Sequence, residues 1–169
     1  MQGSSALLAL ARYWLCADQL RSSFFEAFRA STPGHLVDAH GDVGLSFYWV
    51  SGPGIFSSLW FGALFVVIEG YRELALSDPH IDRLLQSDHV DALRLYRNAT
   101  FHFQSSAFHK KMLPLHETHE SEQWIDEIHR RLGAFLSRSA ADISCPHDQP
   151  DAAKLRIALA VRLAEHDGV

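Results

Sequence analysis

Arg97, Asn98 and His102 stand together in the stretch Leu93 to Gln104, inside an otherwise apolar helical pattern. A guanidinium keeps its charge and presents a planar fork of donors that matches phosphate oxygens. An imidazole, with an unperturbed pKa of about 6.5, takes or gives a proton near neutral pH. An amide beside them can orient the imidazole or donate to a phosphate. These groups suit cleavage of RNA by attack of its own 2′-hydroxyl on the neighbouring phosphorus, and none of them calls for a metal. The residues alone also admit a structural arrangement, with Arg97 paired to a carboxylate such as Glu69 and His102 hydrogen-bonded in the core.

Spacing constrains how such a site is assembled. Arg97 and His102 are five residues apart, about 140° around an ideal helix, whereas Asn98 and His102 are four apart and share a face. One straight helix therefore does not aim the arginine and the histidine at one point. Either the helix bends at the motif, or two copies meet across a two-fold axis and supply two arginines and two histidines to one groove.

Arg97-Asn98-x-x-x-His102 resembles the signature of the HEPN superfamily, an arginine and a polar residue followed after a short spacer by a histidine. The segment from Leu59-Trp60-Phe61 to Glu69-Gly70-Tyr71 is similar to the central helix of bacterial members. The likeness covers about residues 55 to 105 in detail and the remainder only as a number of helices. It implies a homodimer with a composite site in which Arg97 and His102 are catalytic and Asn98 lends polar support. It also implies a toxin or defence effector that cuts single-stranded RNA to a 2′,3′-cyclic phosphate and a 5′-hydroxyl, with a cognate antitoxin as a further partner. Some toxin members carry tyrosine two places after the histidine; Gln104 stands there, so control by modification of that tyrosine is not expected. Other members are non-catalytic modules that bind RNA, a nucleotide or a protein, and this is the second functional reading.

Arg94, Lys110 and Lys111 add positive charge near the motif and are candidate RNA contacts, while Tyr48 or Trp49 could stack on a base. A third reading rests on His109, His116, His119 and Glu120, which crowd one region. If helical, His116-x-x-His119 offers two ligands to zinc or nickel. Pro114 and the polar neighbours favour a solvated loop there instead, and no cofactor is expected.

The composition sets the frame. With 169 residues, 47% hydrophobic and 21% charged, the chain suits one domain over residues 1–169 that buries roughly 70% of its unfolded surface. A formal charge of -5 argues against coating nucleic acid by bulk electrostatics and leaves room only for a local basic groove. Cys16 and Cys145 make no disulfide framework, which suits two thiols in a reducing cytoplasm. The Ala6–Ala11 run is cut by Arg12 and lacks the features of a secretory signal. The longest apolar run, Ile55 to Ile68, has 14 residues against the ~20 needed to cross a bilayer, so a buried core helix and no membrane contact are expected.

The elements that must hold the motif follow from periodicity. Apolar residues at three- and four-residue steps predict a helix over about 4–30, with Arg12, Asp18, Arg21 and Glu26 off the core line, stopped by Thr32-Pro33-Gly34. Residues 31–54 read as a long irregular loop whose aromatics pack back on the body. A central helix over 53–76 is apolar nearly all round between 59 and 68, and Glu69 ends that stretch. Asp78-Pro79 caps a short helix through Leu85, and Asp88 is a cap for the helix that carries Leu93–Gln104. Residues 105–118 read as a loop or broken helix end. Helices over 120–139 and 151–165 follow, joined by a connection at 140–150. Five or six helices without strand alternation predict an all-α, antiparallel, HEPN-like bundle.

Overall fold

Six α-helices, and no strand among the described residues, make up a computed structural model of the chain that describes residues 2–31, 48, 50–103, 105, 115, 118–141 and 150–166. The first helix, α1 (Gln2–Ala30), runs antiparallel to α2 (Gly52–Glu73). Gly52 lies beside Ala27 at one end of the pair, and at the other a methyl group on Gly70 would collide with Leu10. Close approach at Gly70 seats Leu10, which is buried along α1 with Ala11, Trp14 and Ala17. α1 stops at Ser31, whose N–H and hydroxyl both return to the Ala27 carbonyl, at 3.1 and 2.7 Å.

α2 is the central element. It packs on α1 along one side and α4 along another, and Trp60, Leu64, Phe65, Val67 and Ile68 are buried between them. Ser51 enters in extended conformation and Pro53 occupies the first turn, where its missing N–H costs nothing. The helix has 22 residues, extending beyond the 14-residue apolar run on both sides, and by length and composition alone could cross a membrane; 61% of its most apolar window is buried by the rest of the fold. It ends at Glu73, short of the expected Leu76, because Ala75 turns left-handed (φ 50°) and the Leu76 N–H folds back on the Tyr71 carbonyl at 3.1 Å.

That reversal delivers Asp78 to the start of α3 (Pro79–Leu84), where its carboxylate accepts from the N–H groups of His80 (3.0 Å) and Ile81 (3.3 Å), as the Asp-Pro pair predicts. Ser77 and Tyr71 both donate to Asp82 at 2.8 Å and hold its carboxyl below the usual range; burial and this bond push the Tyr71 phenol up. The next helix, α4 (His89–Phe101), is capped differently from expectation. Asp88 is itself helical and makes no side-chain cap, and the Ser87 hydroxyl accepts from the His89 N–H at 3.3 Å.

α5 (His119–Ala141) lies antiparallel to α1, with Trp124, Ile125, Ile128, Leu132 and Leu136 on its buried side. It reaches two residues further than read from the pattern. α6 (Pro150–His166) rests on α1 and α5. Of the expected loop at 31–54, residues 32–47 and 49 lie outside the described residues. Tyr48 does return to the body, its hydroxyl 3.1 Å from Ser57.

Candidate functional site

Three buried residues of α4 at steps of three, Leu93, Tyr96 and Ala99, fix the helix against α2. Tyr96 is the deepest. Its ring meets Phe61 edge-on with centroids 5.2 Å apart, and its hydroxyl lies 3.1 Å from Ser58. Ser58 spends its one hydrogen on the Gly54 carbonyl (2.8 Å), so Tyr96 is the donor between them, and burial pushes its phenol well up. The residues that follow, Arg97 and Asn98, are thereby left on the flank of α4, half-buried.

There the Asn98 side-chain oxygen accepts from Arg97 Nη1 at 3.0 Å. On the other side, Arg97 Nη2 stands 3.7 Å from Glu69 Oε2, which reaches over from α2. Glu69 is about half exposed, at the water-facing end of the buried segment. A pair so exposed and so long is worth about 0–1 kcal/mol, enough to orient the guanidinium and too little to lock it.

His102 is not on the helix. α4 ends at Phe101, three residues before the expected Gln104, and His102 follows in extended conformation (φ −113°, ψ 138°). Its N–H donates to the Asn98 carbonyl at 3.1 Å, and its side chain is exposed. Two expectations change. Asn98 and His102 do not share a helix face, and His102 is no core histidine. Asn98 instead joins the two: its side chain holds Arg97 and its main chain holds His102.

The other sequence candidates are dispersed. Arg94 lies one turn before Asn98, exposed, with Nε 3.1 Å from Asp91. Lys110, Lys111, His109 and His116 lie outside the described residues. His119 and Glu120 are exposed at the start of α5, and the His119 ring lies 3.4 Å from Glu122 and 3.0 Å from Gln123. Among the described residues no group of three His, Cys, Asp or Glu side chains is close enough to hold a metal. Tyr48 is half-buried and donates to Ser57, whose own hydrogen goes to the Gly54 carbonyl; Trp49 lies outside the described residues. The exposed aromatics near the motif are instead Phe101, 52% exposed, and Phe103, 94% exposed. Their adjacency to His102 was available in the sequence; their exposure depends on where α4 stops.

A second polar centre escaped the periodicity. Asp18, expected off the core line, is fully buried, because it continues the Ala11–Trp14 face by one more turn. Its Oδ1 lies 3.1 Å from His129 Nε2 of α5, and Arg162 Nε of α6 stands 3.4 Å from its Oδ2. Trp60 Nε1 approaches His129 Nδ1 at 3.2 Å. An indole N–H only donates, so Nδ1 carries no proton, the ring is neutral, and its hydrogen on Nε2 is donated to Asp18. Trp14 adds a 2.9 Å bond to the His129 carbonyl, and Gly133 gives its ring room. With Asp18 and His129 at 0 and 1% exposure this centre is closed to substrate and ties α1, α2, α5 and α6 together. No family model, curated protein or solved structure matches this chain.

Proposed function

We propose that the chain is a HEPN-like, metal-independent endoribonuclease acting on single-stranded RNA, with a site completed by a second copy. The observation that carries this reading is the coupling through Asn98, which presents a half-exposed guanidinium and an exposed imidazole from the two ends of one helical turn. Arg97 would neutralise the phosphate oxygens as charge builds on them. A His102 imidazole takes the proton of the 2′-hydroxyl while the 2′-oxygen bonds to phosphorus and the bond to the 5′-oxygen breaks. The 5′-oxygen leaves with a proton from a second imidazolium, and the products are a 2′,3′-cyclic phosphate and a 5′-hydroxyl. Among the described residues the motif has one such histidine, and in this proposal the paired acid and base come from two copies.

The test is cleavage of unstructured RNA by purified protein in EDTA. Wild type should yield cyclic-phosphate ends, and Arg97→Ala and His102→Ala should each lower the rate by at least about a hundredfold. Cleavage by both variants at the wild-type rate would sink the reading. A specific observation favours a second one: Arg97 already has Glu69 as a partner, which suits a module that binds RNA without cutting it. RNA affinity without any cleavage product would select that alternative. A role as toxin or defence effector follows from the same resemblance and predicts growth arrest on expression of wild type alone.

A further inference from the structure

We propose that α6 is a proton-released strap: one proton taken up by the buried Asp18–His129 pair expels Arg162 and frees the helix from the bundle. The apolar hold on α6 is thin. Among its described residues Leu159 alone is buried and Leu155 is half-buried, while Ile157 and Val161 stand 65% and 53% exposed. The polar hold on α1 is Arg162, whose Nε lies 3.4 Å from Asp18 Oδ2 and whose Nη2 donates to the Gln19 side chain. Arg156 adds a 2.9 Å bond to the Ala141 carbonyl at the end of α5, which a proton does not alter.

Charge makes the hold through Arg162 conditional. With His129 neutral, the Asp18 carboxylate and the Arg162 guanidinium cancel in a site where Asp18 and His129 are closed to water. Arg21 and Asp126, on adjoining turns of α1 and α5, pair with each other at 2.5 Å, and Trp60 of α2 brings no charge. One further proton leaves the centre with a net positive charge out of water, which is costly. On Asp18 the proton removes the anion that Arg162 faces. On His129 it sits at Nδ1, sets two donors against each other at the Trp60 contact and gives Asp18 a second cation. The sum is the same either way. Arg162 is the member that can leave, because its side chain is 25% exposed on a weakly buried helix. Docking is therefore favoured at higher pH and lost as the pH falls.

The test follows α6 in the full chain by the distance between two spin labels. One is on Cys16, exposed on α1, the other on Ala158→Cys, exposed on α6, with Cys145→Ser removing the remaining thiol. As the pH falls from about 8 to about 5, either side of the ordinary imidazole value, a second and longer distance should appear. Below its midpoint the ratio of released to docked helix should rise about tenfold per pH unit, the slope of one proton. Asp18→Asn copies the protonated carboxylate and should release α6 over the whole range. Arg162→Gln, a change at the rim of the centre, strands the carboxylate instead: α6 should be released at high pH and dock as the pH falls, the reverse of wild type. Asp18→Asn combined with Arg162→Gln carries neither charge and should stay docked at every pH. A wild-type distance that does not move between these pH values overturns the strap, and so does acid release in Arg162→Gln equal to that of wild type. Helix content is read alongside: a loss no larger than the 17 residues of α6 accords with release, whereas collapse of the whole helical signal at the same pH overturns it, since the bundle then opens as one body.

Discussion

Asn98 is the residue on which the site turns, because it touches Arg97 through its side chain and His102 through its carbonyl. Replacing it with alanine keeps the carbonyl and removes only the hold on the guanidinium. Alanine is also the better helix former by a few tenths of a kcal/mol, so stability should not fall. Asn98→Ala is expected to lower kcat for RNA cleavage by about tenfold to a hundredfold, the scale of a misplaced catalytic group, with an unchanged or slightly higher urea midpoint. Asn98→Asp, which still accepts from Arg97, should recover much of the rate. A parallel loss of stability and activity in Asn98→Ala would make the residue structural instead. The residue types of this site could be read from the chain, and so could the Arg97–Glu69 pairing. The place of His102 could not, because whether the helix includes it depends on where the last turn closes, and no glycine or proline marks that point.

At the scale of elements, periodicity identified the helices because each buries an apolar face, and it misjudged ends where local bonds decide. Ala75 turns left-handed without glycine, and Ser87 caps α4 in place of Asp88. It also sorted charged residues to the surface by type, which is why Asp18 was misplaced. A carboxylate joins a core face only when its partners come from distant segments, here His129 and Arg162, and no pattern along one helix reveals them. The buried centre makes a strong stability prediction. His129→Leu fills the volume but leaves the Trp60 N–H and one Asp18 oxygen without their present partner. Leaving a buried hydrogen-bonding group unsatisfied costs about 1–3 kcal/mol, so urea unfolding of this variant should show a loss on that scale. The double variant His129→Leu, Asp18→Leu should recover part of it, since replacing both partners by apolar groups removes the stranded charge. If the single variant unfolds at the wild-type midpoint, the pair does not hold the bundle together.

The whole molecule raises the question of how many chains one site needs. Within a single chain, Arg97 faces Glu69 on the flank of α4 while His102 departs from the helix end, and among the described residues His102 is the one imidazole that adjoins Arg97 and Asn98 in the chain to serve as acid or base. A composite site resolves both difficulties by drawing arginine and histidine from two copies. It also makes a prediction that a self-contained site does not. Arg97→Ala and His102→Ala proteins, each inactive alone, should regain cleavage when unfolded together and refolded as a mixture. The mixed dimer brings the intact arginine of one copy to the intact histidine of the other. In an equal mixture half of the dimers are mixed by random pairing, so the recovered rate should be a sizeable fraction of wild type where one histidine suffices and smaller where two are needed. Omitting the unfolding step should delay recovery to the rate of subunit exchange. If the mixture stays as inactive as its components while wild type treated in the same way cleaves, a site that works with one arginine and one histidine drawn from different copies is excluded.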